Sequence, residues 1–255
     1  MTEVSTGSTD EVCVPRKNAA KPAANGVYTT LRSLIMDGEL PPDTRINIVA
    51  LSRDLGVSQT PVREALQRLE GDNLITYEPG RGYSTTPLLD LDGLRALFEF
   101  RLLVEPWAAR AAAVDRLSNP GPLLDRELDS FERVLAATEN EPGGEESHRD
   151  IRQQLVAHDA AFHAAILKAT GNPVAEQAYT QTHCHLHTFR LYPEDIDTAN
   201  TVTEHRRISA AINGCAPEEA EQAMTDHVRK AFDRFANAFD TAAALPEVPP
   251  RHLVK

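Results

Sequence analysis

Cysteine is scarce in this chain of 255 residues, which has three, Cys13, Cys184 and Cys215. An odd number without regular spacing forms no disulfide framework, so we expect free thiols in a reducing compartment. The apolar runs are short and interrupted by charge, and the N-terminus has no apolar signal core. These absences predict a cytoplasmic protein with no contact to a membrane.

Basic residues are also in short supply. The chain has 26 lysines and arginines against 38 acidic residues, a net charge of -12 at pH 7. Residues 25–90 contain six arginines and nine acidic side chains, which is a net charge of -3. Because contacts to phosphate dominate nucleic-acid affinity, any DNA binding must depend on a few local arginines and on two copies of the module.

Residues 51–70 nevertheless have the pattern of a helix-turn-helix. The residues predict a short helix, a turn at Gly56 and a second helix that Ser58 or Thr60 can cap, with Pro61 in its first turn. Apolar residues at intervals of three and four supply a small core. The side chains left on the outer face of the second helix are Thr60, Arg63 and Gln67. A helix presented in this way enters a DNA major groove.

A hairpin is predicted directly after this second helix. Residues 74–77 and 83–86 have the composition of two short strands, and Gly80 and Gly82 permit a tight connection. An arginine, Arg81, stands at the tip. A hairpin in this position is a wing, whose arginine would contact a phosphate or the minor groove.

These segments resemble the winged helix-turn-helix of the GntR family of bacterial transcription regulators, over roughly residues 25–87. The runs that carry the resemblance are IMDGELPPD at 35–43, LGVSQTPVREAL at 55–66 and GRG at 80–82. The resemblance implies DNA contacts from Ser58, Gln59, Thr60, Arg63, Arg81 and Gly82. Two positions depart from the family pattern, because Gln59 and Val49 stand where arginine occurs in other members.

The second half of the chain has only helical patterns. The predicted helices are 91–117, 122–138, 147–169, 173–191, 201–213 and 217–240, separated by proline, glycine and asparagine. We therefore expect a mainly α protein, with a small β-hairpin in the first domain and an antiparallel all-α bundle in the second. The predicted domains are 25–88 and 89–240, between a disordered tail at 1–24 and another tail at 241–255.

Four chemistry-bearing side chains lie on apolar helix faces. Asp159 and His163 are one helical turn apart, and His205 and His227 lie on the apolar faces of two other helices. A single inward histidine is more often a hydrogen-bonded core residue than a ligand. A buried carboxylate, however, needs pairing or a metal, and this donor set suits zinc, nickel, iron or manganese.

The same four residues belong to a second resemblance. The runs DAAFH at 159–163, ATGN at 169–172, EH at 204–205 and MTDH at 224–227 resemble the FCD effector-binding domain of the FadR subgroup of that family. The aspartate and the three histidines bind a metal in many members. The resemblance therefore implies a divalent transition metal, zinc first, on Asp159, His163, His205 and His227.

Arg101 shares a predicted inward face with apolar residues, which leaves two interpretations. It pairs with Glu105 one turn away, or it binds the carboxylate of an effector in a fork. The resemblance favours the effector. The run HCHLH at 183–187 matches no structural zinc spacing. On one continuous helix His183 and His187 share a face and His185 points away, and one of the three lines the cavity.

These features predict a metabolite-responsive transcription regulator, a repressor in the first instance. It would bind a double-stranded, roughly palindromic operator as a homodimer and take a small organic acid as effector. Two alternatives stay open. One is a metal-dependent, hydrolase-like all-α enzyme, for which we identify no inward acidic side chain in a general-base role. The other is a structural metal site without an effector.

Overall fold

The described chain divides into two compact units, with the boundary between Pro87 and Leu88. The computed structural model describes residues 24–114, 119–139, 145–191 and 198–239. Both predicted tails lie outside these residues, except that Ala24 is already the first residue of a helix. Among the described helices, none is long and apolar enough to cross a membrane.

The first unit is a small helical domain with one sheet. Its elements are α1 (Ala24–Met36), β1 (Arg45–Ile46), α2 (Ile48–Asp54), α3 (Gln59–Gly71), β2 (Ile75–Glu78) and β3 (Gly82–Thr85). Val62, Leu66 and Leu69 are fully buried on one side of α3, where they face α1. This spacing of three and four residues buries one stripe of the helix and leaves the opposite stripe exposed.

The three strands form an antiparallel sheet in the order β1-β3-β2. The predicted hairpin is present, although each strand is displaced by one residue from its predicted bounds. The strand β1 was not predicted, because two residues show no alternation. Its attachment depends on Thr85, a buried residue whose hydroxyl donates to Pro41 O at 2.6 Å and accepts from Thr44 N at 2.8 Å.

In the residues that the structure describes, the second unit contains helices and no strand, as predicted. Its helices are α4 (Leu91–Ala112), α5 (Gly121–Glu139), α6 (Glu145–Ala169), α7 (Pro173–Thr182), α8 (Cys184–Arg190), α9 (Thr198–Asn213) and α10 (Pro217–Ala236), followed by a 3-10 turn, Asn237–Phe239. α10 packs against α4 and α9, while α6 packs against α4 and α5. The core of the unit therefore lies where α4, α6, α9 and α10 converge.

The prediction of one continuous helix over residues 173–191 is wrong. The segment forms two helices, α7 and α8, because His183 adopts a left-handed backbone conformation with φ 46°. A non-glycine residue seldom adopts this conformation, and it cannot continue an α-helix. The break separates α8 from α7, so residues on either side of position 183 no longer share the faces that one helix would give them.

Candidate metal centre and nucleic-acid interface

The structure brings together all four predicted metal ligands. Asp159 and His163 are on α6, His205 is on α9 and His227 is on α10. Each of the four is buried, with at most 5% of its surface exposed. One ligand atom from each residue lies within 4.8 Å of the ligand atoms of the other three. The cluster therefore has the size and the donor set of a metal site.

The Nε2 atoms of the three histidines face the centre of this cluster. His205 Nε2 is 3.3 Å from Asp159 Oδ1, and His163 Nε2 is 3.8 Å from the same oxygen. Within the described residues, the buried Nε2 atoms of His163, His205 and His227 have no hydrogen-bond partner. A buried polar atom left unsatisfied is costly, so a shared metal ion fits this arrangement.

Each imidazole has a polar atom close to its other ring nitrogen, and only at His163 Nδ1 does that contact lack hydrogen-bond geometry. The contacts are His163 Nδ1 to Glu105 Oε2 at 2.8 Å, His227 Nδ1 to Glu204 Oε2 at 2.8 Å, and His205 Nδ1 to His158 Nε2 at 3.2 Å. Metal-binding histidines commonly use the second nitrogen in this way, which fixes the orientation of the ring. The outer contacts therefore hold the Nε2 atoms toward one point.

Electrostatics keep two of these imidazoles neutral. Burial lowers the pKa of His163 to about 4, although Glu105 and Asp159 act in the opposite direction. Burial also holds the pKa of His205 well below its usual value. Neutral imidazole is the form that binds a metal, so these two rings need not lose a proton first at neutral pH.

Arg101 and Glu105 form a buried ion pair on α4. Arg101 Nε donates to Glu105 Oε1 at 2.5 Å, and Nη2 donates to Oε2 at 3.3 Å. Burial opposes the charge on Glu105, but Arg101 and His163 outweigh it and hold the carboxyl pKa well below its usual value. The intrahelical pair is therefore present. Glu105 also lies beside a candidate metal ligand, since its Oε2 is 2.8 Å from His163 Nδ1.

His185 is also inside, contrary to the prediction that it points away. Its Nδ1 is 2.5 Å from Asp159 Oδ2, and its Nε2 is 2.9 Å from the hydroxyl oxygen of Tyr179. The Tyr179 hydroxyl donates to Glu105 Oε1 at 2.6 Å. Burial by itself lowers the pKa of His185, but the Cys184 sulfur and the Asp159 carboxylate outweigh it and raise the pKa to about 10.

Three residues of this site were not predicted from the sequence, His158, Tyr179 and His185, and neither was the contact between Glu105 and His163. A signal for His158 was available, because it lies three residues after Leu155 and four before Phe162 on the apolar face of α6. For Tyr179 and His185 there was none, since their approach depends on the break at position 183.

The predicted recognition helix presents its polar face outward. Gln59, Thr60 and Arg63 are exposed on α3. Ser58 occupies the capping position, but its side chain makes no capping hydrogen bond in the described chain. Arg63 forms no hydrogen bond or ion pair with any described residue, so its guanidinium is available to a ligand.

A groove within the first unit joins the recognition helix to the wing. Residues that line it include Val49, Gln59, Arg63, Tyr77, Arg81 and Gly82. Arg81, at the tip of the hairpin, donates to Glu78 Oε2 at 3.2 Å and is strongly exposed. Gly82 has φ 86°, a conformation that suits glycine. The groove thus presents donors from both elements on one surface.

Comparison with known proteins agrees with both units. The model for bacterial regulatory proteins of the gntR family matches residues 23–84, and the model for the FCD domain matches residues 96–230. The Nta operon transcriptional regulator of Aminobacter aminovorans is 39% identical over 202 residues, which are 76% of this chain and 85% of that protein. The probable D-xylose utilization operon transcriptional repressor of Paenarthrobacter nicotinovorans is 28% identical over 76% of this chain and 80% of that protein.

Among solved structures, E. coli McbR/YncC has the same fold. The TM-score is 0.63 at 19% sequence identity, over 85% of this chain and 98% of the other. The FCD match alone spans more than half of the present chain, and the DNA-binding match precedes it in sequence. The chain therefore belongs to the GntR family of bacterial transcription regulators and combines its DNA-binding domain with an FCD effector domain.

Proposed function

We propose that the chain is a metabolite-responsive repressor of the FadR subgroup, which acts in the cytoplasm as a homodimer on a roughly palindromic operator. Residues 25–88 are the DNA-binding domain, and residues 89–240 are the effector domain. The relatives of this chain are named as transcriptional regulators, and one of them is named as a probable repressor. A two-fold dimer places two recognition helices in successive turns of the major groove.

DNA recognition in this proposal depends on the groove of the first unit. Arg63 contacts a base edge, with Ser58, Gln59 and Thr60 beside it at the start of α3. Arg81 and Gly82 bring the wing to the phosphate backbone or to the minor groove. The exposure of these side chains on one surface supports the assignment.

Asp159, His163, His205 and His227 hold a divalent transition metal, zinc before nickel, iron or manganese. The observation that carries this proposal is that one ligand atom from each of the four buried residues lies within 4.8 Å of the other three, while the Nε2 atoms of the three histidines have no hydrogen-bond partner in the described chain. When bound, such a metal supplies a concentrated positive charge that attracts an anionic ligand.

The effector is a small organic acid whose carboxylate lies between the metal and Arg101. Guanidinium binds carboxylates in a fork, and Arg101 is buried on the face of α4 that also presents Glu105 to the cluster. Regulation requires the effector to favour one arrangement of the two DNA-binding domains over the other.

A gel-shift assay tests the DNA half of this proposal. The metal-loaded protein should retard a DNA fragment from upstream of its own gene and leave an unrelated fragment of equal length free at moderate salt. If no upstream fragment is retained even at low salt, with or without metal, the proposal of a DNA-binding repressor is wrong.

A thermal-shift screen of small carboxylic acids on the metal-loaded protein tests the other half. A true effector should raise the melting temperature of the wild type, because a ligand that binds only the folded state stabilises it. The shift should disappear in Arg101→Lys and in His227→Gln. A hit that survives both substitutions binds elsewhere, and the complete lack of hits would favour a structural metal site.

A further inference from the structure

A closed ring of buried polar contacts passes through two of the proposed metal ligands. It runs from Asp159 to His185, Tyr179, Glu105 and His163, and the Nε2 of His163 faces Asp159 again. All five side chains are buried, with at most 6% of their surface exposed. The helices α4, α6, α7 and α8 each contribute to it.

The protons of this ring can be assigned by counting donors. The single hydroxyl proton of Tyr179 goes to Glu105 Oε1, so the tyrosine oxygen must accept from His185 Nε2. The other nitrogen of His185 donates to Asp159 Oδ2. One oxygen of the Asp159 carboxylate is therefore already used, and Oδ1 alone faces His163 and His205.

We propose that Glu105, Tyr179 and His185 are positioning residues for the metal centre. His185 holds Asp159 so that it offers one oxygen, and Glu105 orients the ring of His163 through its Nδ1. Tyr179 contacts both Glu105 and His185 and so fixes their positions relative to each other. This proposal rests on the proposed metal site and adds to it the residues that set its geometry and affinity.

The same ring links the metal to the proposed effector. Glu105 contacts Arg101 with both carboxylate oxygens and contacts His163 with one of them. A carboxylate that draws the Arg101 guanidinium toward itself therefore changes the environment of a metal ligand. By thermodynamic reciprocity, metal and effector must then alter each other's affinity by the same factor.

Cobalt(II) titration of the full chain, followed by visible absorption, tests the positioning role. Tyr179→Phe removes one hydroxyl, and Glu105→Gln preserves the shape of the side chain but removes its charge, so each should weaken cobalt affinity by about 10- to 100-fold. Each should also change the absorption bands, because these bands report the ligand geometry around the ion.

Two matched variants serve as controls. Tyr28→Phe removes a phenol that donates to Asp72 in the DNA-binding unit. Glu132→Gln removes a carboxylate that pairs with Arg206 on the surface of the helical unit. Both should bind cobalt as the wild type does, with the same spectrum.

The outcomes separate the two proposals. If the wild type binds no cobalt, zinc or nickel, the metal site itself is wrong. If the wild type binds cobalt and Tyr179→Phe matches Tyr28→Phe in affinity and spectrum, the positioning role is wrong and the metal site stands. If Tyr179→Phe fails to fold, His185→Gln decides, and an unchanged spectrum in a folded His185→Gln protein would equally overturn the role.

Discussion

Arg63 and Arg68 show how surroundings assign different roles to the same residue type. Both are exposed arginines on α3. Arg68 Nη1 donates to Asn25 Oδ1 at 2.7 Å, and its guanidinium lies 4.0 Å from the centre of the Tyr28 ring. Arg63 has no such contact within the described chain and lines the groove instead. Arg68 therefore fastens α3 to α1, while Arg63 is left for a ligand.

Arg63→Gln should lower operator affinity by about 10- to 100-fold, since a good arginine–base pair contributes roughly 1–3 kcal/mol of discrimination. Fluorescence anisotropy with a labelled operator measures this directly. Arg68→Gln is the matched control on the same helix, and its loss of affinity should be several-fold smaller. Equal losses for both variants would contradict the assignment of Arg63 as a base contact.

The four candidate metal ligands were predicted from their positions on apolar helix faces together with the resemblance to the FCD domain. Asp159 and His163 are one turn apart, while His205 and His227 interrupt apolar stripes. The outer contacts could not be predicted, because a hydrogen bond such as Tyr179 to Glu105 joins residues 74 positions apart. Such pairs depend on how helices pack, and spacing along one helix carries no information about that.

At the level of elements, the break between α7 and α8 is the main departure from the predicted fold. No glycine or proline stands at position 183, so the residues there carry no signal for the end of a helix. By contrast, Asn172 and Pro173 predicted the start of α7, and Asn172 does accept hydrogen bonds from Val174 N and Ala175 N. The start of α7 was predictable because a capping residue precedes it, whereas the break at position 183 has no such signal in the sequence.

The left-handed backbone at position 183 predicts which substitutions there lower the melting temperature. Asparagine adopts this conformation more readily than most residues, whereas a β-branched side chain clashes. We expect His183→Asn to melt near the wild-type temperature and His183→Val to melt roughly 3–8 °C lower, because a loss of about 1–2 kcal/mol has that effect in a domain of this size. Calorimetry of the two variants checks this. A His183→Val protein as stable as His183→Asn would show that the backbone at this position carries no strain.

For the molecule as a whole, the excess of acidic residues constrains how DNA is bound. The chain has a net charge of -12 at pH 7, and residues 25–90 account for -3 of this net charge. Three arginines line the groove of the first unit, Arg45, Arg63 and Arg81. Long-range attraction to DNA is therefore weak, and specific contacts must supply most of the affinity.

The salt dependence of operator binding should accordingly be modest. Six arginines in the proposed dimer, at about 0.9 released counterions per contact, give a slope of log K against log salt of roughly -5. Filter binding between low and moderate salt measures the slope. Arg81→Ala should reduce its magnitude by about 2, since the dimer loses two contacts. A slope near -10 would require phosphate contacts from surfaces other than the groove.

The pairing of buried charges inside the helical unit bears on the order in which the proposed metal and the proposed organic acid bind. Arg101 is balanced by Glu105, and the His185 cation is balanced by Asp159. Each of these two pairs is neutral by itself, so a divalent cation in the proposed site would add two positive charges that these pairs do not compensate. Excess charge is costly where water is excluded. If the proposed metal binds here, electroneutrality favours an anion that enters with the cation or after it, and the proposed metal should bind less tightly where the acid is scarce.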